Sequence, residues 1–222
     1  MRSEVAIVGC GRTPYSRAKP GEPVRTVDDY IAWAADLALQ QAGMSKNDFD
    51  GQGLGVAHAE VAHTVNWSAA VAENLGISPQ VLIRADQGGA SASAMLIRAA
   101  AMIKAGIVDR VLVVGADTPL NMPAIAPGLP LSPERTRGVY WDFQGPFGVM
   151  GASAQFALVY SRYLHEHRVT PEQMGKVAVN ARYHASLHPG AIYRQPFTLQ
   201  DYLDSRMLIA AHLVKMAGCK KC

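Results

Sequence analysis

The 222-residue chain is short of three things: cysteine, charge and unbroken apolar sequence. Its three cysteines, Cys10, Cys219 and Cys222, are too few for a multi-bridge framework, so a reducing compartment, the cytoplasm, is the expected setting. Charged residues make up 18% of the chain, below the roughly 25% of an average globular domain. With 49% apolar residues, that balance excludes a disordered chain, which has few apolar residues and many charges. The formal net charge is only +3 and no Lys/Arg run occurs, so no nucleic-acid partner is expected. The most apolar region, 99–114, is broken by Lys104, Asp109 and Arg110 and falls short of the ~20 residues that span a bilayer. The run Val5–Val8 is too brief for the core of a signal peptide. Neither a membrane span nor a leader is therefore expected.

What is present is alternation. Val5-Ala6-Ile7-Val8, Gly51 to Ala57, Val81-Leu82-Ile83 and Val111-Leu112-Val113-Val114 read as strands, the last as a parallel strand covered on both faces. Between them lie helical stretches. One is capped by Thr26 and stopped by Gly43, one runs from Asn66 to Leu75, and one runs from Ala90 to Gly106. The third is apolar almost all round, which predicts a buried helix. Strand and helix alternating over residues 5 to 115 predict a doubly wound α/β layer. From 118 to 149 six prolines interrupt any periodicity, the pattern of a functional loop. Helices follow at 152–167, from the capping box Thr170-Pro171-Glu172-Gln173 to Leu187, and from Thr198. No strand is expected after 115.

Several motifs invite chemistry and fall short of it. Gly9-Cys10-Gly11 resembles the start of a dinucleotide fingerprint, but Pro14 stands where the third glycine belongs. His184 and His188 are four apart, yet no Glu follows His184 and the helix is ending there, so no metal is expected. His165 and His167 point to different helix faces. Cys219-Lys220-Lys221-Cys222 is a solitary CxxC at the chain end and lacks the further ligands of a zinc site. The strongest local signal is Gln87-Gly88-Gly89-Ala90-Ser91-Ala92-Ser93, between a strand and a helix. Backbone amides at such a helix start favour an oxyanion or a thiolate. Equally, its small residues could serve only to pack the helix closely on the sheet.

Residues Gln87 to Gly106 with Val111 to Asp117 resemble the nucleophile segment of the thiolase superfamily, in which a Cys-x-Ser-Gly turn starts a buried helix that leads to an apolar strand. Val5 to Pro14 resembles that superfamily's first strand and its Arg-Thr-Pro. Gly145-Pro146-Phe147-Gly148, Arg162 to Glu166, Arg182 to Ala185 and Asp201 to Met207 are similar to its lipid-transfer-protein or sterol-carrier-protein-x branch. The resemblance implies a thiolase-like doubly wound layered fold in two parts. Residues 1–117 form the N-terminal core, and 118–222 form a mostly helical loop region covering an acyl-CoA site, with the C-terminal half of the fold absent.

Counting back from Ile103 and Gly106 puts Gly89 at the position of the thiolase nucleophile. Glycine cannot form an acyl-enzyme, and Ser91 and Ser93 are the replacements to weigh, although no base is evident beside either. Branch members without the nucleophile include lyases that cleave steroid side-chain CoA thioesters by retro-aldol chemistry, with a small partner of the OB-fold type. The resemblance thus implies a CoA thioester as substrate and no bound cofactor or metal. It places Gly88, Ala90, Gly145 and Gly148 at the substrate, and implies a homodimer whose base, if tyrosine, lies largely in the absent half. The alternatives are a thiolase-type acyltransferase, against which Gly89 argues, and a non-catalytic acyl-CoA or lipid-binding fragment.

Overall fold

Small and large residues alternate in Gly53-Leu54-Gly55-Val56-Ala57, and the first part of the molecule is built on that alternation. A computed structural model describes residues 5–15, 24–57, 59, 66–118, 143, 145–147, 151–205, 207–209 and 214–215. The chain divides into two compact units, Met1–Pro133 and Glu134–Cys222.

In the first unit, strands β1 (Gly53–Ala57), β2 (Val81–Ala85) and β3 (Val111–Val114) form a parallel sheet in the order β2-β1-β3. Leu54 sits opposite Leu82 on one side and Leu112 on the other. Helices α1 (Val27–Ala42), α2 (Trp67–Leu75) and α3 (Ser91–Lys104) complete the layers. Leu54, Val56, Leu112 and Val114 share one core with Ile31 and Ala35 of α1 and Trp67 and Val71 of α2. Gly55 belongs to α3 instead, because the Met95 Cε atom lies 2.5 Å from where a Gly55 β-carbon would sit, and Met95 is fully buried. Gln52 ties the amino ends of the strands together. Its side-chain oxygen accepts from the Asp109 and Arg110 amides at 2.9 and 3.1 Å, and its carbonyl accepts from those of Gln80 and Val81.

Helix α1 opens as its sequence predicts. The Thr26 hydroxyl accepts from the Asp29 amide at 3.2 Å, and the Asp29 carboxylate accepts from the Thr26 amide at 2.7 Å. The Thr26 amide, and then its hydroxyl, hold the Asp29 carboxyl below its ordinary value. Gly43 ends the helix at φ 65°.

Two expectations for this unit need correction. Residues 5–8 form no strand, and Ile7 and Val8 are 76% and 67% exposed. The outer edge of β3 stays open, but residues 9–11, which follow this run, are held against α1. β-carbons on Gly9 and Gly11 would collide with the Ala38 and Ala34 carbonyl oxygens, and the Cys10 amide donates to the Gln41 side chain at 2.6 Å. Helix α3 is buried on one face only, through Ser91, Met95 and Ala99, while Leu96 and Ile97 are 47% and 72% exposed. Its apolar circumference exceeds what one three-stranded sheet can cover. On β3, Leu112 and Val114 are buried and Val111 and Val113 half-buried.

The second unit holds α4 (Gly151–His167), α5 (Pro171–Leu187), α6 (Leu199–Leu203) and a short antiparallel pair, β4 (Met207–Ile209) and β5 (Val214–Lys215). This pair corrects the expectation of no strand beyond 115; strands of three and two residues carry no readable alternation. Thr170 and Thr198 each close a reciprocal capping box, with Gln173 and Asp201. Arg182 lies over the rings of both Tyr193 and Phe197, at 5.3 and 5.0 Å, and so pins the α5–α6 connection back onto α5. Gly175, buried in α5, lets α6 approach. A β-carbon there would lie 2.5 Å from Leu199 Cδ1 and 2.7 Å from Tyr202 Cδ1.

Gly175→Ala is therefore expected to destabilise the unit although alanine is the better helix former. Overpacking of about 1–3 kcal/mol outweighs a propensity gain of about 1 kcal/mol. A lower urea midpoint checks this, and an unchanged midpoint would show that α6 yields. Burial, and then a hydrogen bond to Tyr202, push the Tyr160 phenol up to about 12. The folded state then keeps a proton that the unfolded chain releases near its ordinary value of 10.0. Tyr160's contribution to stability is full below that pH and is lost as pH rises towards about 12. Melting followed across this range should show the decline, and Tyr160→Phe should remove Tyr160's share of it.

Candidate active site

Parallel α/β sheets bind ligands outside the carboxyl ends of their strands. Here that edge presents Asp86 and Gln87 after β2, Gly115 to Thr118 after β3, and the amino end of α3. Asp117 accepts from the amide of the buried Thr118 at 2.9 Å.

The turn from β2 into α3 is tight. The Ala90 amide donates to the Gln87 carbonyl and the Ser91 amide to the Gly88 carbonyl, both at 3.1 Å, and Gly88 adopts φ 54°, which glycine tolerates. Residues 87–90 are exposed, and no atom lies within 4 Å of where a β-carbon on Gly88 or Gly89 would sit. Ser91 is the opposite: it is 3% exposed, its Oγ accepts from the Gln87 amide at 2.9 Å, and its hydroxyl donates to the Gly88 carbonyl at 2.7 Å.

Helices α1, α5 and α6 close a first-turn amide with a threonine side chain, but α3 does not. Its N-cap is Ala90, and the amides of Ala92 and Ser93 find no acceptor among the described residues. The result is an open pair of donors at the positive end of a 14-residue helix, beside an unhindered surface at Gly89.

The structure thus brings Gly88, Gly89, Ala90 and Ser91 into one turn. Gly145 opens the short 3-10 turn Gly145–Phe147 in the second unit, and Gly148 lies outside the described residues. The glycines of Gly9-Cys10-Gly11 serve the close approach to α1. His188 Nδ1 accepts from the Gly190 amide at 3.0 Å, and no group of three or more His, Cys, Asp or Glu able to hold a metal occurs among the described residues. Cys219 and Cys222 are outside those residues.

Two arginines that no sequence motif marks lie near this edge. The Arg84 guanidinium lies 5.8 Å from the centroid of the Trp67 ring, and Arg98 of α3 donates to the Arg84 carbonyl at 3.0 Å. The available signal was spacing: Arg98 sits seven residues, two helical turns, after Ser91. An apolar cleft of about 830 Å3 also runs along the open edge of β3, between α1 and α3; Cys10 and Lys104 are the ionisable residues on its described walls.

A profile of the thiolase N-terminal domain matches residues 5–196. The chain belongs to the thiolase family. It is 29% identical, over 99% of its own length and 55% of the relative's, to a 17-hydroxy-3-oxo-4-pregnene-20-carboxyl-CoA lyase of Mycobacterium tuberculosis. Among solved structures it is similar to the Ltp2-ChsH2(DUF35) aldolase, with a TM-score of 0.74 and 27% identity over 96% of this chain and 51% of that one. It also shares the fold of a monomeric SCP2-thiolase-like protein type 1 from Mycobacterium smegmatis, with a TM-score of 0.62 and 19% identity over 94% of this chain and 40% of that one. The chain spans about half the length of the curated relatives it matches. As in that fold, a parallel sheet sits between helices, and no helix of the described residues is long and apolar enough to cross a membrane.

The open space at Gly89 yields a direct test of the field at α3. Gly89→Cys should fold with stability within about 0.5 kcal/mol of the parent, as an exposed substitution without a clash. Its thiol should titrate below the ordinary value of about 8.5, because the first-turn amides stabilise a thiolate. Alkylation rate against pH measures this, and a thiol titrating at or above the ordinary value would mean that the amides do not reach position 89.

Proposed function

We propose that this thiolase-family chain carries the nucleophile-side half of a carbon–carbon lyase that cleaves a β-hydroxyacyl-CoA thioester, such as a steroid side-chain thioester, by a retro-aldol reaction. The observation that carries the reading is Gly89. In the register of the resemblance it occupies the nucleophile's place, it is open to solvent, and it lies beside amides of α3 that no side chain caps.

A retro-aldol step needs no acyl-enzyme. A base removes the proton of the β-hydroxyl, the Cα–Cβ bond breaks, and the electron pair moves through Cα onto the thioester oxygen as an enolate. The β-carbon leaves as a carbonyl, and protonation at Cα gives the shortened acyl-CoA. Two amides and a helix dipole aimed at the thioester oxygen stabilise the charge that develops there. A side chain at position 89 would occupy that space; glycine leaves it to substrate.

In this reading Gly88 and Ala90 line the thioester, Gly145 and Gly148 belong to the part covering it, and Ser91 holds the turn. The names of the relatives, a lyase and an aldolase, support the same chemistry. The reading includes a homodimer, a small partner of the OB-fold type and a cytoplasmic setting. The aldolase structure that pairs Ltp2 with ChsH2(DUF35) supports the partner, and the exposed Leu96 and Ile97 support self-association.

The test is cleavage. The gene product, alone and with an OB-fold partner, is incubated with a β-hydroxyacyl-CoA, and the carbonyl product and shortened acyl-CoA are quantified. Release of both in equal amounts supports the reading. No cleavage under either condition, or thiolysis of a 3-oxoacyl-CoA in its place, overturns it.

A further inference from the structure

We propose that Ser91 is the positioning residue of this site, through hydrogen bonds that hold the Gln87–Ala90 turn and leave the amides of α3 free. The role rests on reading the α3 amino end as the anion-stabilising element.

The usual use of a serine at a helix start is to cap the helix itself. Ser91 is one position too late for that, being the first residue inside α3. Its side chain turns backwards, accepting from the Gln87 amide and donating to the Gly88 carbonyl. One hydroxyl thus bridges the last residue before the turn and the glycine at φ 54°. Both of its hydrogen-bonding capacities are engaged and it is almost wholly buried, so it has no proton to offer a substrate.

The arrangement has a consequence for the helix. A threonine at the N-cap, as in α1, α5 and α6, would consume a first-turn amide. Placing the hydroxyl one residue later fixes the turn and consumes none. Without it, Gln87 keeps an amide with no partner, and Gly88 is free to leave the left-handed region, which it shares with many other conformations. The amides would then no longer be held against Gly89.

The experiment uses the thiol of Gly89→Cys as a probe and compares Ser91, Ser91→Ala and Ser91→Thr in that background by alkylation rate against pH. The Ser91→Ala thiol midpoint is expected to return to about 8.5, with the protein still melting cooperatively. Ser91→Thr, which keeps the hydroxyl, should hold the midpoint low. Amide exchange at Gln87 and Gly88 should quicken in Ser91→Ala and stay slow in Ser91→Thr. A role confined to stability would lower the melting temperature and leave the midpoint where it was, and that result overturns the proposal. So does an ordinary midpoint already in the Ser91 background. None of these measurements involves substrate, so they stand apart from the cleavage assay that decides the lyase reading.

Discussion

The terminal methyl of Met95 lies 2.5 Å from where a β-carbon on Gly55 would be, and that contact sets how closely α3 rests on the central strand. The rest of the first unit follows from it. A buried methionine contributes roughly 1.5–3 kcal/mol, but here its larger effect is geometric. With α3 close to β1, the connection from β2 must turn within a few residues, and Gly88 and Gly89 let it do so. The amino end of the helix is thereby brought to the carboxyl edge of the sheet. The opposite face of β1 does the reverse, with Leu54 and Val56 filling the core beneath α1 and α2.

Helix starts differ in this protein in whether a side chain caps them, and α2, like α3, has no side-chain cap. Those of α1, α5 and α6 carry capping boxes, in which the threonine hydroxyl takes the third amide of the first turn and the side chain there takes the threonine's own amide. The start of α3 has its serine displaced by one residue and its amides open. The difference is a single position in sequence, yet it decides whether the hydroxyl occupies a first-turn amide or reaches back into the turn before the helix. In the second unit α5 and α6 belong to the capped kind. Its contacts, Tyr202 on Gly175 and Arg182 against two aromatic rings, hold helices and connections together.

Much of the architecture was legible because it is written in local periodicity. Val111–Val114 is apolar without a break, Thr170-Pro171-Glu172-Gln173 announces a helix, and Gly43 ends one. The failures share a cause. Val5–Val8 has the composition of a strand, but pairing depends on where tertiary contacts hold the chain, and the residues that follow it pack against α1. The apolar circumference of α3 signals burial without saying what surface exists to bury it against, and Ile97 stays exposed. β4 and β5 are too short to show a pattern at all.

For the candidate site, the sequence by itself determined the inventory: a glycine pair between strand and helix, serines just beyond, and no cysteine among them. It also carried the family, through motifs spaced along the chain, all but the last of which lie within the residues that the thiolase N-terminal profile matches. Only the tertiary structure decided what those residues do to one another. Whether the Ser91 hydroxyl faces solvent, caps its own helix or reaches back to Gln87 depends on the approach of α3 to the sheet and on the left-handed turn at Gly88. The approach of α3 is set by its contact with β1, more than thirty residues earlier in the chain, and no local pattern in the turn encodes it.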